Sequence, residues 1–328
     1  MALKLSVSSE SWPLAKPFTI SRGTKTAADV AVVELISETG TRGWAECVPY
    51  PRYGETVEGV IEDIKAIADK IAGGMGRVEL SQTMGAGAAR NAIDCALWDL
   101  EAKQAGKRVW EIANLPTPQP TITAETIGIA SPENMGLAAR ELAHAPLLKV
   151  KLDTEKVITR MAAIRENAPA SRLIIDPNES WSFELLRDVA QSLADLGVEM
   201  IEQPLPAEGD SALAGFDSPV PLCADESCHT VERLSELKDR YQMINIKLDK
   251  TGGLTEAIKL AQGGHDLGFG IMIGCMVGTS LAMAPATLLS SYARFVDLDG
   301  PLLMKKDREY GLDFTNGKVS PPEMELWG

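Results

Sequence analysis

The sequence has little that would suit a secreted, membrane-spanning or nucleic-acid-binding protein. Its five cysteines are odd in number and scattered without a CxxC pair, so reduced thiols in a cytosolic protein fit best. No apolar run approaches the ~20 residues that span a bilayer, and the opening residues lack the apolar stretch of a signal peptide. Acidic residues outnumber basic ones by 46 to 32, and no basic block is present. We therefore expect a cytoplasmic protein without a nucleic-acid or membrane partner.

Two common catalytic signatures are also missing. Gly85 and Gly87 lie close together, but no strand precedes them and no GK[ST] follows, so they do not form a phosphate loop. The three histidines are His144, His229 and His265, and none lies in the strand-end segments described below. Cys275 therefore has no histidine there to activate it as a nucleophile.

The first third of the chain predicts a small α+β domain over residues 1–115. A strand is expected at 3–9, and a hairpin forms from 29–37 and 41–47 across the turn Thr39-Gly40. Apolar residues at helical spacing predict helices at 57–71 and 86–105. Two loops are expected between these elements, at residues 16–26 and 49–56.

From Pro120 onward the pattern becomes a repeat that predicts a barrel. Eight short apolar runs alternate with spacers long enough for one helix each, at residues 122–129, 147–152, 173–177, 199–204, 221–226, 243–248, 270–274 and 295–298. Eight β-then-α units are typical of a (β/α)₈ barrel, here with an irregular first or last helix. A doubly wound sheet is the alternative. We assign residues 116–305 to the barrel, and expect residues 306–328 to return to the first domain.

The second run carries two lysines, Lys149 and Lys151. Strand side chains alternate between faces, so both must point to the same side. If that side is enclosed, the two ammonium groups need charged partners there. The alternative is an edge strand whose lysines face water.

Three consecutive later runs end in carboxylates, namely Asp176, Glu202 and Asp225. Active sites of β/α barrels lie at the carboxyl ends of the strands, so these groups should converge. Converging carboxylates repel one another unless a cation lies between them, and oxygen-only ligands favour Mg²⁺ or Mn²⁺ over zinc.

Lysines on opposite strands suggest proton transfer at one carbon. Lys151 and Lys247 follow strands two and six, on opposite sides of an eight-stranded ring. Positive charge nearby lowers the pKa of a lysine, so that each can act as a base, and Lys149 would assist Lys151 in this way. One base on each face of a carbon permits racemisation or epimerisation. Salt bridges to the neighbouring carboxylates are the structural alternative.

These segments resemble the enolase superfamily, muconate lactonizing enzyme subgroup. The resemblance is carried by Lys-x-Lys at 149–151, Asp-x-Asn at 176–178, IEQP at 201–204, ADES at 224–227 and NIKLD at 245–249. It implies a capping domain on a modified (β/α)₇β barrel and a magnesium ion that stabilises an enediolate. It also implies that Lys151 and Lys247 exchange base and acid roles. Supporting roles around the lysines and metal ligands would fall to Asn178, Glu226 and Asp249.

Within that subgroup the chain resembles the dipeptide epimerases. The pair Asp297-x-Asp299 is similar to the acids that receive the α-ammonium of a dipeptide in that group, and two carboxylates suit a cationic amine. The resemblance further implies an L-Ala-D/L-Glu substrate pair and a role in peptidoglycan peptide recycling.

Two loops of the first domain are expected to select the side chain of the substrate. Their cationic and aromatic residues suggest an anionic side chain such as Glu or Asp; they are Arg22, Lys25, Arg52 and Tyr53. Residues 274–280, with Cys275 and Met276, would hold the dipeptide backbone through their amides.

Several alternatives stay open at this point. N-succinylamino acid racemase, o-succinylbenzoate synthase and muconate cycloisomerase share the lysines and metal ligands, but their substrates lack a free α-ammonium for Asp297 and Asp299. A non-catalytic binding protein on the same fold is a further alternative. Assembly into a homo-oligomer is left open as well.

Overall fold

The computed structural model describes residues 3–328, so Met1 and Ala2 lie outside the described part of the chain. An antiparallel sheet and four helices form the first part, with the order β1 (Leu3–Ile20), β2 (Gly23–Ser37), β3 (Arg42–Cys47), α1 (Val57–Ala72), α2 (Arg77–Thr83), α3 (Ala88–Ala105) and α4 (Val109–Ile112). The hairpin turn at Thr39-Gly40 and both predicted helices are confirmed.

The first hairpin corrects one sequence-based expectation. Residues 16–26, predicted to be a loop, continue β1 and β2 to a turn at Ser21-Arg22, and the register shifts only between Pro13 and Phe18. Prolines at 13 and 17 interrupt the alternation of the sequence pattern, because proline lacks the N–H that a strand ladder uses. The tip of the hairpin reaches the barrel, where Ile129 N–H donates to Thr19 O at 2.9 Å.

The second part is a ring of eight parallel strands. Its strands are β5 (Glu125–Ile127), β6 (Leu147–Lys151), β7 (Arg172–Asp176), β8 (Val198–Glu202), β9 (Leu222–Ala224), β10 (Met243–Ile246), β11 (Gly270–Ile273) and β12 (Phe295–Val296). They pair strictly in chain order, which excludes the doubly wound alternative. The two end strands meet where Ala124 N–H donates to Val296 O at 2.8 Å. The predicted barrel is confirmed.

Helices cover most of the outside of this ring. They are α5 (Pro132–Glu141), α6 (Val157–Asn167), α7 (Phe183–Asp195), α8 (Leu234–Leu237), α9 (Leu248–Thr251), α10 (Leu254–Asp266) and α11 (Ser280–Thr287). Two connections in the described chain are 3₁₀ turns instead, Ala207–Leu213 after β8 and Gly300–Leu303 after β12. The helix layer is therefore interrupted after β8 and after β12. No helix within residues 3–328 is long and apolar enough to cross a membrane.

The short strands that flank the barrel form a third sheet. In it β4 (Thr121–Ile122) pairs with β14 (Lys318–Val319), which also pairs with β13 (Phe314–Thr315). Beyond it the chain reaches the first part of the molecule, where Gly328 O accepts from Val109 N–H at 3.0 Å. The domain limits at residues 115 and 305 stay predictions.

Helix α3 joins the two parts through buried polar contacts. Arg90 Nη2 donates to Thr251 O at 2.7 Å, and Asp94 accepts from the Thr255 amide at 2.9 Å. Asn91 Nδ2 donates to Asp249 Oδ1 at 2.8 Å. Separating the two parts would exchange these hydrogen bonds for bonds to water, and each one made in the folded protein contributes a net ~0.5–1.5 kcal/mol to holding the parts together.

Candidate active site

The interior of the barrel changes from apolar to charged toward the carboxyl ends of the strands. A layer of side chains fills the lower interior, formed by Ala124, Leu147, Ile174, Met200, Cys223, Met243, Met272 and Phe295. Above it, Lys149 and Lys151 are only 2% and 8% exposed. The alternative of an edge strand with wet lysines is therefore wrong.

The structure brings the predicted carboxylates and lysines into one buried cluster. Lys149 Nζ lies 2.7 Å from Glu202 Oε2 and 3.4 Å from Asp176 Oδ2. Lys151 Nζ donates to Asp176 Oδ2. On the opposite side, Lys247 Nζ lies 2.5 Å from Asp225 Oδ2 and 3.7 Å from Glu202 Oε1. The three acids therefore lie between the lysines of β6 and Lys247, which follows β10.

The electrostatics of this cluster follow from burial and direct ion pairing. Burial raises the pKa of Asp176, but the charges of Lys151 and Lys149 outweigh it and bring the pKa down to about 2. Burial and the charge of Asp176 raise the pKa of Glu202. Burial lowers the pKa of Lys247, but Asp225 and Glu202 raise it well above its ordinary value. This rise follows from the direct contact of the carboxylates with the ammonium, whereas the lowered pKa expected from the sequence refers to a lysine that faces a bound cation.

The donor set fits a hard divalent cation. The three acids are buried, come from consecutive strands and offer only oxygen. Oε2 of Glu202 is paired with the Lys149 ammonium, whereas the buried Oδ1 of Asn178, beside Asp176, has no hydrogen-bond donor. Among residues 3–328 no three His, Cys, Asp or Glu side chains form a preassembled metal cage. The lysine ammonium groups that lie between the acids account for this.

The two acids after β12 occupy different surroundings. Asp297 Oδ2 accepts from Lys149 Nζ at 2.7 Å, whereas its buried Oδ1 has no partner. Asp299 Oδ2 accepts from the Thr126 amide at 2.8 Å. Burial and the neighbouring Asp297 charge raise the pKa of Asp299 to about 7. Both acids border the cluster.

The cations of the first domain are mostly paired already. Arg22 Nη2 lies 2.8 Å from Glu226 Oε1, and Arg52 Nε lies 2.6 Å from Glu179 Oε2. Lys25 Nζ lies 5.4 Å from the centre of the Tyr50 ring. Within residues 3–328 no carboxylate lies within 4.0 Å of Lys25, and burial lowers the pKa of this lysine.

The remaining predicted residues lie around the mouth of the barrel. Tyr53 packs its ring edge against His229, with 4.7 Å between ring centres, and its buried hydroxyl has no partner. Cys275 and Met276 follow β11, and burial together with the Asp297 charge raises the pKa of the Cys275 thiol well above its ordinary value. A protonated thiol is a poor nucleophile, in agreement with the sequence-based argument.

The three supporting residues contact different parts of the site. Asn178 donates to both oxygens of Asp176, at 2.8 Å from its amide and 2.9 Å from Nδ2. Glu226 pairs with Arg22, and burial with the Asp225 charge raises its pKa to about 8. Asp249 contacts the first domain instead of Lys247, since it accepts from the Val48 amide at 2.9 Å.

Several contributing residues were missed by the sequence argument. Lys250 Nζ lies 2.9 Å from Asp225 Oδ1 and is fully buried. Asn245 Nδ2 donates to Glu202 Oε1 at 2.7 Å. Asn245 could have been found, because it lies two residues before Lys247 and strand side chains at i and i+2 share a face. Lys250 follows the strand on a short helix and carries no such signal.

Glu179 is a further missed residue, and it joins the first domain to the barrel. Its carboxylate accepts from Arg52 Nε at 2.6 Å, from Arg22 Nη1 at 3.1 Å and from the Ala207 amide at 2.9 Å. Hydrogen bonds to charged groups contribute about 1.5–3 kcal/mol each. We expect Glu179→Gln to loosen both arginine-bearing segments, so that trypsin cleaves after Arg22 and Arg52 several times faster.

The control for this experiment is Glu208→Gln, since Glu208 is a 74% exposed partner of Arg52 alone. An exposed ion pair of this kind contributes little. Equal cleavage rates in both variants would show that Glu179 does not hold the segments.

Asp249 gives a prediction for stability against pH. Burial raises its pKa from 3.8 to about 7. The folded protein therefore holds this proton more tightly than the unfolded chain does. The contribution of Asp249 to the free energy of unfolding is fully present below about pH 4. It is lost progressively as the pH rises to about 7, by up to roughly 4 kcal/mol. We expect Asp249→Asn to show a smaller decline in unfolding free energy between pH 4 and 8, measured by urea titration.

Asp266→Asn, at an exposed acid near the end of α10, is the matched control and should keep the slope of the unaltered protein. If Asp249→Asn shows the same decline of unfolding free energy with pH as the unaltered protein, the inference that the pKa of Asp249 is raised is wrong.

Comparison with known proteins assigns the family. Residues 2–113 match the N-terminal domain of the mandelate racemase / muconate lactonizing enzyme family, and residues 135–325 match its enolase C-terminal domain-like part. The chain belongs to this family. Its resemblance to the enolase superfamily, drawn above from five sequence segments, is thereby confirmed.

Relatives within the mandelate racemase / muconate lactonizing enzyme family are epimerases and racemases. The L-Ala-D/L-Glu epimerase of Escherichia coli (strain K12) is 49% identical over 312 residues, covering 94% of this chain and 97% of that protein. An N-acetyl-D-glutamate racemase of Pseudoalteromonas sp is 50% identical over 299 residues, covering 90% of this chain and 95% of that protein.

Solved structures of the family superpose closely. An enolase family member from Agrobacterium tumefaciens with homology to dipeptide epimerases, crystallised with sodium and L-Ala-L-Glu, is 50% identical with a TM-score of 0.97. It covers 99% of this chain and 100% of that chain. The dipeptide epimerase of Enterococcus faecalis V583, complexed with Mg and L-Leu-L-Tyr, is 29% identical with a TM-score of 0.91 and 98% coverage of both chains.

Proposed function

We propose that this protein epimerises dipeptides at the α-carbon of the second residue, with L-Ala-L-Glu and L-Ala-D-Glu as its substrate pair. The observation that carries the proposal is the placement of Lys151 and Lys247. They lie on β6 and directly after β10, four strands apart in a ring of eight, and both enter the same buried carboxylate cluster. The names of the relatives support the substrate class.

The two lysines divide the proton transfer between them. Neutral Lys151 removes the α-proton from one face of the carbon, and the Lys247 ammonium returns a proton to the other face, which inverts the configuration. The opposite epimer uses the same groups in reverse. After a turnover in this direction Lys151 carries one proton more and Lys247 one proton fewer. Proton exchange with solvent restores both lysines to their starting states.

Asp176, Glu202 and Asp225 are the residues that would hold Mg²⁺, with Mn²⁺ as an alternative cation. When bound, the ion neutralises these acids and supplies positive charge beside the substrate carboxylate, which favours loss of the α-proton. Asn178 and Asn245 orient the acids through the hydrogen bonds described above. Asp297 and Asp299 receive the substrate ammonium.

Lys25 supports an anionic second residue. Of the three cations contributed by the first domain, it is the one without a carboxylate within ion-pair distance in residues 3–328. A substrate carboxylate at this half-buried lysine would gain a charge-assisted hydrogen bond. We assign Arg22 and Arg52 to the closure of the mouth, because their guanidinium groups are paired with Glu226, Glu179 and Glu208.

A second candidate is racemisation of N-acylated glutamate, which the Pseudoalteromonas relative favours. The buried Oδ1 of Asp297, which has no hydrogen-bond partner, disfavours this second candidate. An acylated nitrogen carries no ammonium group that could pair with this carboxylate. The two candidates therefore differ at Asp297 and Asp299.

Deuterium incorporation in D₂O with Mg²⁺, followed by mass spectrometry, tests the proposal. L-Ala-L-Xaa dipeptides and N-acetyl-L-glutamate are supplied separately. We expect deuterium to enter L-Ala-L-Glu as L-Ala-D-Glu accumulates. Exchange confined to N-acetyl-L-glutamate would replace the proposal by the second candidate, and no exchange in any substrate would overturn both.

We further infer a cytoplasmic location and a role in recycling peptides of the cell wall. All five cysteines lie within the described residues and are free, which fits a reducing compartment. The L-Ala-D/L-Glu pair is the chemistry that such peptides would supply. Retention of activity in a cytoplasmic fraction, and its absence from a periplasmic one, is the expected result of cell fractionation.

A further inference from the structure

A cavity of about 490 Å³ lies outside the barrel, between the first hairpin, α5 and the turn Gly300–Leu303. It lies where that 3₁₀ turn, instead of a full helix, follows β12 in the described chain. The cavity occupies the space between this turn, the hairpin and α5.

The walls of the cavity are mainly apolar. They combine side chains from three separate elements, namely Phe18 on β1, Met135, Ala138 and Leu142 on or after α5, and Leu303 after β12. Pockets for small ligands are typically apolar with a few polar groups that fix orientation. Here the polar lining residues include Asp299, Thr126 and Glu141.

The cavity shares one residue, Asp299, with the border of the charged cluster. Thr126 also lines the cavity. Thr126 pairs in register with Lys149, and Asp299 is 95% buried with Oδ2 fixed by the Thr126 amide. One of the two acids to which the substrate ammonium is assigned therefore lines the cavity.

We propose that this cavity receives the side chain of the first residue of the dipeptide and accepts apolar side chains larger than methyl. The inference rests on the proposed function, in which Asp297 and Asp299 bind the ammonium. The ammonium and the first side chain share one carbon, so a substrate anchored at Asp299 directs that side chain into the cavity. Glu125, Glu141 and Lys16 also line the cavity, and Lys16 Nζ lies 3.9 Å from Glu141 Oε2. With Asp299 the lining holds three acids and one base, and this negative balance disfavours an acidic first residue.

Kinetics on an L-Xaa-L-Glu series in D₂O with Mg²⁺ test this, with Ala, Leu, Phe and Glu as the first residue. We expect kcat/KM for L-Leu-L-Glu and L-Phe-L-Glu to equal or exceed that for L-Ala-L-Glu. L-Glu-L-Glu should fall at least about tenfold below it. Calorimetry with the slow Lys247→Arg variant should rank the same dipeptides in the same order by Kd.

Two substitutions locate the effect in the cavity. Ala138→Phe narrows it, and should lower kcat/KM for L-Leu-L-Glu relative to L-Ala-L-Glu by at least about tenfold, because one methylene in an apolar pocket changes specificity by 10–200-fold. Leu303→Ala widens it and should shift the ratio of L-Phe-L-Glu to L-Leu-L-Glu upward. Leu137→Phe is the control, since Leu137 lies on the same helix, is 57% exposed and does not line the cavity.

The outcomes separate this inference from the proposed function. Epimerisation of L-Ala-L-Glu together with rejection of every larger first residue overturns the inference and leaves the proposed function standing. An unchanged Leu-to-Ala ratio in a folded Ala138→Phe protein also overturns it. If neither L-Ala-L-Glu nor any other dipeptide of the series is epimerised, both the inference and the proposed function are overturned.

Discussion

Replacing Lys151 or Lys247 by arginine is expected to lower the rate of epimerisation by about 10²–10⁴-fold, the usual contribution of a positioned acid or base. Arginine preserves the positive charge beside Asp176 or Asp225, but it does not give up its proton near neutral pH. The loss therefore reports proton transfer instead of a collapsed charge cluster. Chiral chromatography of L-Ala-L-Glu and L-Ala-D-Glu gives the rate.

The same variants test whether each lysine serves one face of the carbon. Each variant should still exchange the α-proton of one epimer with solvent deuterium, without inversion, and should lose exchange with the other. Lys151→Arg and Lys247→Arg should show opposite preferences. Lys238→Arg, at an exposed lysine, is the control. Loss of exchange with both epimers in both variants would contradict the division of roles.

Glu202→Gln is expected to lower kcat/KM by at least about 10³-fold, because charge stabilisation by a metal ion is worth several kcal/mol. Glu202 is the middle acid of the three and is fully buried. The neutral amide weakens the site for Mg²⁺. A second readout is independent of turnover, since 10 mM Mg²⁺ should raise the Tm of the unaltered protein and leave that of the variant nearly unchanged.

Glu199→Gln is the matched control on the same strand. Glu199 faces outward and pairs with Arg172 at 2.7 Å. Chelation of divalent ions should abolish activity of the unaltered protein, and Mg²⁺ should restore it. Full activity after exhaustive chelation, or an Mg²⁺-dependent rise in Tm that persists in Glu202→Gln, would exclude Glu202 as a metal ligand.

The fold was predictable to the extent that it depends on local periodicity. The eight strands of the ring follow from short apolar runs at regular spacing, which reflect burial on both faces of a parallel sheet. The hairpin over residues 16–26 was not predictable, because Pro13 and Pro17 break the two-residue alternation and its pairing depends on contact with the barrel.

The candidate site shows the same limit. Lys149, Lys151 and Asp176 could be placed in one pocket because strand alternation and the barrel geometry fix where they point. Glu179 and Lys250 could not, since their contacts depend on where distant segments fold. Likewise, the sequence does not reveal that Asp225 contacts Lys247 directly, because that distance depends on how the two strands are placed in the ring.

The contacts of α3 have a consequence for how the molecule denatures. Arg90, Asn91 and Asp94 bind groups of the barrel, so opening the interface would break several hydrogen bonds at once. The two parts should therefore melt as a single cooperative unit, with equal calorimetric and van't Hoff enthalpies. Two resolved transitions would contradict this. Neither part is then expected to fold stably when it is expressed as a separate fragment. Substitutions of the α3 residues that contact the barrel should lower the stability of the whole chain.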